Sequence, residues 1–259
     1  MILRSQLGQL RRSVLCSVYR RQVSLKLEKP LVSFCFDDFP RTAYTEGGRI
    51  LQSFGARGTF YAALGLMNTT NELGDQLTRA DVDSVLSDGH ELGSHTFSHC
   101  SSRRVSSDVF EQDVLQGRDA IQIMTGCDAG NFSYPFGHVA VMLKKKIGAQ
   151  MKSCRSIYSG VNGPVVDLNL LRANSLYGDM GQLGVAEELL QKNKNERGWL
   201  IFYTHDVRPN PSPFGCTPSL LGTVIETALE KGFSIVPVAE AVSRALQVES
   251  EDTYACKTV

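Results

Sequence analysis

The chain has 259 residues, 42% of them hydrophobic, with 27 basic side chains against 27 acidic ones, enough for one large core or two small ones. That even balance excludes a general nucleic-acid binder, which needs a basic excess to replace counterions on phosphates. Seven cysteines with no CxxC spacing indicate neither a zinc ribbon nor a disulfide framework, and free thiols of this kind suit a reducing compartment.

The first 27 residues hold five arginines, one lysine and no acid. No apolar run there reaches the roughly 7–15 residues of a signal peptide or the roughly 20 of a membrane span, so a cytoplasmic protein is expected. With Leu7, Leu10, Val14, Leu15 and Val18 set among the basic residues, this segment either lies on an anionic membrane surface as a peripheral contact or packs as an ordinary helix.

Beyond residue 30, strand and helix patterns alternate. Leu31-Val32-Ser33-Phe34-Cys35-Phe36 reads as a buried strand that Asp37-Asp38-Phe39-Pro40 breaks. A helix is expected over 48–54 and a strand over 58–64. Thr78 and Asp81 form a capping box for a helix that Gly89 ends. A short strand at 90–95 precedes a longer helix capped by Ser107, with Phe110, Val114, Ile121 and Met124 on one face. Pro135 halts a strand at 131–134. A helix over 139–148 leads to strands near 151–157 and 170–173. Helix 185–192, strand 199–204, helix 218–230, strand 233–236 and helix 238–246 complete the series. About seven or eight such units predict a parallel sheet, closed or nearly closed into an α/β barrel. The expected organisation is a basic arm or helix over 1–29, the barrel over 30–246 and a tail over 247–259.

Chemistry in such barrels gathers at the carboxyl ends of the strands. Asp37 and Asp38 end the first strand, His95 the third and His205 the strand at 199–204, while Pro135 follows the fourth. An unpaired buried charge is costly, so two carboxylates at one strand tip point to solvent, a cation or a catalytic cleft. His95 and His99, four apart, can direct both imidazoles to one point, and a carboxylate from another strand completes a two-histidine, one-carboxylate face. Three protein ligands leave room for substrate, unlike a closed structural zinc site. Thr96 after the first histidine excludes the zincin helix motif.

Phe36-Asp37-Asp38, His95-Thr96-Phe97-Ser98-His99, Tyr134-Pro135-Phe136 and Tyr203-Thr204-His205 together resemble the successive motifs of the polysaccharide deacetylase family, the NodB-homology or carbohydrate esterase family 4 proteins. The resemblance implies a distorted (β/α)7 TIM-like barrel, hydrolytic loss of acetyl groups from N-acetylated sugars, and a divalent metal, usually Zn2+. It carries over Asp38, His95 and His99 as metal ligands and Asp37 as general base. His205 becomes the acid that protonates the leaving amine. The Phe136 N–H faces the oxyanion, with Tyr134 and Pro135 beside it at the substrate site.

This chain departs from the pattern at Ser133, where the family's third motif has an arginine that holds the catalytic aspartate. Arg172 or Arg155 is the expected replacement. No aspartate with a supporting tryptophan is evident behind the acid histidine; Asp167 is a weak candidate, and Trp199 reads as core. The loop 206–215, with three prolines, is a plausible groove rim. Cys35 and Cys100 read as packing residues, and His138 can line the cleft. Three functions are compatible with these residues. The first is a saccharide N-deacetylase. The second is a relative hydrolysing a cyclic amide or a lipid-linked sugar, and the third a carbohydrate-binding relative without turnover, which the retained Asp37 disfavours.

Overall fold

The computed structural model describes residues 12–255, with side chains described through residue 246. Residues 12–17 are helical, and β1 (Gln22–Ser24) and β2 (Leu31–Phe36) follow. A π-type turn at Ala43–Gly48 runs into α1 (Arg49–Ser53), then come β3 (Thr59–Ala62) and a hairpin of β4 (Thr70–Asn71) and β5 (Gly74–Asp75). Next are α2 (Arg79–Ser87), β6 (Glu91–Ser94), α3 (Ser107–Thr125), β7 (Asn131–Ser133), α4 (Val141–Gly148) and β8 (Ser153–Arg155). The chain continues through β9 (Val165–Asp167), β10 (Asn174–Ser175), α5 (Leu183–Glu196), β11 (Trp199–Thr204), α6 (Pro218–Glu230), β12 (Ser234–Ile235) and α7 (Val238–Ala255).

Seven strands pair in parallel in the order β10-β11-β2-β3-β6-β7-β8, and β12 lies beside the start of β2. This is the expected α/β architecture, a distorted barrel. Its gap is spanned by the segment before β10, where Leu171 makes a parallel bridge to Arg155 and its N–H donates to the Cys154 carbonyl at 2.8 Å. A full strand was expected at 170–173. It does not form because the Asn162 side chain takes the Arg172 backbone. The Arg172 N–H donates to Asn162 Oδ1 (2.8 Å), and Asn162 Nδ2 donates to the Arg172 carbonyl (2.9 Å).

Both faces of β2 and β11 are buried, which is why they read as unbroken apolar runs. Val32, Phe34 and Phe36 point outward into a core shared with Leu51, Val82 and Val224, while Leu31 and Cys35 point inward with Tyr61, Ile201 and Tyr203. The barrel floor is polar. Glu91 accepts from Thr59 Oγ1 and Asn131 Nδ2, both at 2.7 Å, and from the Ala239 N–H of α7 at 2.8 Å. The floor is thus satisfied by its own hydrogen bonds.

Helix ends follow local chemistry. Thr78 Oγ1 accepts from the Asp81 N–H while Asp81 Oδ2 accepts from the Thr78 N–H, the expected reciprocal box. The cap of α3 is Ser106, one residue before the expected Ser107, its Oγ accepting from the Val109 N–H. The last helix continues to Ala255 instead of stopping at 246.

Residues 1–11 of the basic arm, Leu7 and Leu10 included, lie outside the described residues, as do 256–259 of the tail. Within the described part of the arm, Leu15 is fully buried in a core with Phe110, Phe132 and Leu143. Buried Lys144 clamps the arm, donating to the carbonyls of Leu15 (2.7 Å) and Val18 (2.8 Å) and pairing with Asp167 (2.7 Å). β1 pairs antiparallel with β9. Among the described residues no helix is long and apolar enough to cross a membrane.

Candidate active site

Inward-facing positions recur every second residue, so Asp37 continues the column of Cys35, His95 that of Gly93, and His205 that of Tyr203. The column on β6 needs a glycine: a Cβ at Gly93 would lie 2.6 Å from the Tyr61 ring. Ser133 and Arg155 are register partners on β7 and β8. These alternations bring Asp37, Arg155, Ser133 and His95 into one interior layer beneath the barrel mouth.

Arg155 is fully buried and Asp37 only 4% exposed. Arg155 Nη2 donates to both Asp37 carboxylate oxygens, Oδ2 at 2.5 Å, and to Ser133 Oγ at 2.5 Å, while Nη1 donates to the Ser156 carbonyl at 3.1 Å. Its guanidinium lies 5.0 Å from the Tyr61 ring and 4.9 Å from the Tyr203 ring, a cation–π arrangement on two faces. Burial works to lower the Arg155 pKa, but the Asp37 charge outweighs it and raises the group above its ordinary value. The side chain is a fixed cation.

Asp38 lies next to this pair but turns the other way, because its backbone has φ 62°. Its Oδ1 stands 2.9 Å from His99 Nε2 and 3.3 Å from His95 Nε2. The His95 tautomer is set from behind, since Nδ1 donates to the Ser133 carbonyl at 2.8 Å and leaves the unprotonated Nε2, with its lone pair, facing this centre. One donor atom from each of Asp38, His95 and His99 lies within 4.8 Å of the others, a group that can hold a metal ion. The chemistry fits a cation: two imidazole nitrogens and a carboxylate converge, and buried Asp38 Oδ1 has no donor in hydrogen-bond geometry. Burial tends to raise the Asp38 pKa, yet the adjoining imidazoles, when protonated, hold it well below the usual carboxylate range.

Backbone strain concentrates here. Eight non-glycine residues among those described have positive φ, and five are Asp38, Phe39, Thr96, His99 and Phe136. Such conformations cost on the order of 1–3 kcal/mol each and persist only where surroundings enforce them. For the His95–His99 loop the enforcing element is α3. The Phe97 N–H donates to the Asp113 carbonyl (3.0 Å), and both Ser98 N–H and Oγ donate to Asp113 Oδ2. A Cβ on Gly117 would lie 2.5 Å from the Thr96 carbonyl carbon, so only glycine lets the loop rest on the helix.

Across the cavity, His205 Nδ1 donates to the Phe214 carbonyl at 3.0 Å, leaving Nε2 toward the site. Asp206 bends the proline-rich loop back to supply that carbonyl. It accepts from the Ser212 N–H (2.9 Å) and Oγ (2.5 Å) and pairs with Arg208 (2.7 Å). Phe136 sits at φ 58° in the short turn Pro135–Gly137, where its first-turn N–H has no helical acceptor. Asp37, Asp38, His95, His99, Phe136, His205 and Phe214 all line one cavity of about 210 Å³.

The polysaccharide deacetylase family model matches residues 24–152, from β1 to just before β8. The chain belongs to the polysaccharide deacetylase family. It is 30% identical over 91 residues to a peptidoglycan-N-acetylglucosamine deacetylase of Bacillus cereus, 34% of this chain and 38% of that protein. The chain thus spans well under half of that relative's length. A putative polysaccharide deacetylase from Mycobacterium smegmatis has the same fold (TM-score 0.62, 15% identity, 88% of this chain and 94% of that one). So does a family 4 acetyl xylan esterase from Clostridium thermocellum solved with a cobalt ion (TM-score 0.53, 22% identity, 82% of this chain and 90% of that one).

Several residues expected at this deacetylase-family site lie elsewhere. Arg172 does not approach Asp37: its Nη1 donates to the Ser159 carbonyl at 3.1 Å, and its backbone is fixed by Asn162. Asp167 is not behind His205, being engaged by Lys144 and the Arg21 N–H. Trp199 is core, its Nε1 donating to Ser33 Oγ. Tyr134 borders the cavity from the core, packed with Phe110 and Phe132, and Pro135 is buried outside the lining. His138 pairs with Ser101 Oγ at 2.7 Å and does not line the cavity. Unforeseen were Tyr61, Tyr203, Tyr177, Ile157 and the hairpin residues Asn71, Glu72 and Leu73. Strand alternation marks Tyr61 and Tyr203 as inward; nothing local marks the hairpin.

Proposed function

We propose that this chain is a metal-dependent hydrolase that removes N-acetyl groups from an amino-sugar-containing saccharide. The observation that carries this is a buried carboxylate, Asp37, gripped by Arg155 beside the Asp38, His95 and His99 donors and lining one cavity with His205. A buried ion pair is weak evidence for stability, and a protein that only bound sugar would need no such base.

Asp38, His95 and His99 would hold the ion, and zinc suits their nitrogen and oxygen donors. A divalent ion there supplies Lewis-acid polarisation of the acetyl carbonyl and lowers the pKa of water at the site. Asp37 takes a proton from the attacking water at a carboxylate oxygen, and Arg155 holds that carboxylate in place. The Phe136 N–H donates to the carbonyl oxygen as it becomes negative. His205 Nε2 gives a proton to the departing nitrogen while the Phe214 carbonyl holds Nδ1–H. Water and amide thus leave as acetate and amine.

Acetate release from N-acetylglucosamine oligomers, measured together with zinc content, tests the proposal. Metal bound with no acetate released from any saccharide would refute it. Asp37→Asn should retain metal and lose turnover by about 10²-fold or more. His205→Ala should lower kcat far more than metal affinity.

A further inference from the structure

The basic arm and Arg172, neither of which the active site uses, meet in an open pocket beside the last turn of α5. Arg12 Nη2 and Arg172 Nη1 donate to one shared acceptor, the Ser159 carbonyl, at 3.2 and 3.1 Å. Two guanidinium groups on a single oxygen stand close enough for their charges to repel. Arg20 and Lys192 line the same pocket as Ser159 and Arg172. Glu196 is the one acid in that lining, and it stands 3.9 Å from Lys192 Nζ. Among the described residues no carboxylate pairs with Arg12, Arg20 or Arg172, so three positive charges gather without an answering negative one. None of these residues lines the active-site cavity.

The two central arginines are held in place. Asn162 binds the Arg172 backbone at both its N–H and its carbonyl. The Arg172 stem lies along Gly160, where φ is 131° and a Cβ would lie 3.2 Å from Arg172 Cδ, a position suited to glycine. The Arg12 guanidinium rests 4.8 Å over the Tyr158 ring. Each group spends one N–H on Ser159, and a guanidinium has five to give. The repulsion is thus built in, and an anion relieves it.

We propose that this pocket binds a phosphate monoester group. A carboxylate brings one charge and two oxygens. A phosphomonoester brings about −1.5 to −2 at neutral pH and three strong acceptors, which suits several cations and the fork of donors that arginine presents. The inference is independent of the deacetylase function proposed above.

Calorimetric titration of the full metal-loaded chain with inorganic phosphate and with glycerol 3-phosphate at low salt tests it, beside sedimentation with phosphatidic acid vesicles. Binding of the soluble ligands without vesicle capture assigns a free phosphate ester. Vesicle capture that exceeds capture by phosphatidylglycerol, a phosphodiester, assigns a lipid headgroup. Either result supports the site, provided that Arg172→Gln weakens the binding about tenfold or more, the loss expected when a charged hydrogen-bonding partner is removed. Arg20→Gln with Lys192→Gln should weaken it likewise, and these exposed side chains make no hydrogen bond to the rest of the protein among the described residues, so misfolding does not explain the loss. Binding unchanged in these variants places the phosphate at the metal centre and overturns the proposal. So does an equal response to acetate, or no response to phosphate in any form.

Discussion

Arg155→Met deletes a charge while leaving a side chain of similar length between the Tyr61 and Tyr203 rings. Asp37, 4% exposed, then keeps a buried carboxylate whose guanidinium partner is gone; Ser133 Oγ lies nearby but brings no charge. Removing one member of a buried pair costs about 3–5 kcal/mol because the other charge stays uncompensated. Losing two cation–π faces at 5.0 and 4.9 Å adds roughly 1 kcal/mol. Total stabilities run to about 5–15 kcal/mol, so the variant sits near the edge of folding. Asp37→Asn leaves the opposite orphan, a buried guanidinium, and should cost about 3 kcal/mol. The double variant removes both charges. Its loss should fall short of the sum of the singles by about 2–3 kcal/mol, the coupling of groups in direct contact. Urea unfolding of all four proteins in chelator isolates this coupling from metal binding. Additivity within about 0.5 kcal/mol would mean that Arg155 does not hold Asp37.

Gly117→Ala pushes a Cβ into the Thr96 backbone and should weaken zinc binding about tenfold or more by shifting the loop that carries His99; chelator competition checks this, and unchanged affinity would show that the loop does not need the helix. Burial, with the Arg57 charge, lowers the His90 pKa from 6.5 to about 4, so the unfolded chain binds the extra proton between those values. Stability is therefore full above about pH 6.5 and declines by roughly 2 kcal/mol as pH falls toward 4. His90→Phe, packed against Phe60, should flatten that slope in urea midpoints; an identical slope assigns the acid sensitivity elsewhere. Lys144→Met removes the donor to Leu15 and Val18 and the partner of Asp167, and trypsin should then cut at Arg20 and Arg21 well before the barrel unfolds.

Much of the fold was legible because period and burial agree. β11 and α6 match their expected limits, the first as an apolar run buried on both faces, the second between a capping Thr217 with Pro218 and the turn at Gly232. What failed was local pattern overruled by side chains distant in sequence. The run 170–173 has strand composition, yet Asn162 satisfies the Arg172 backbone, and no window around 170 contains Asn162. The carboxylate pair and the two histidines were visible as strand-end residues. Their separate facings depend on the positive φ of Asp38, which turns that side chain toward His95 and His99 while Asp37 meets Arg155. Tyr61 and Tyr203 were readable as inward-facing but not as a clamp, since that needs Arg155 between them.

The choice between Arg155 and Arg172 turns on layer, not on distance along the chain. A catalytic carboxylate needs positive charge at one point in space, and any inward position bordering that point can supply it. Ser133 and Arg155 are direct register partners on neighbouring strands, so moving the arginine from one to the other shifts its origin by a single strand spacing of about 4.8 Å. An arginine side chain can absorb that displacement. Serine at 133 then contributes what an arginine there could not: its small volume admits the guanidinium and its hydroxyl accepts from Arg155 Nη2, while the backbone carbonyl that orients His95 is kept whichever residue stands there. Arg172 fails for the converse reason. Its backbone is tied to Asn162 and its side chain to the Ser159 carbonyl, outside the layer in which Asp37 lies. Restoring an arginine at 133 while keeping Arg155 would place two guanidinium groups in a space shaped for one, so Ser133→Arg should be tolerated only together with Arg155→Ser.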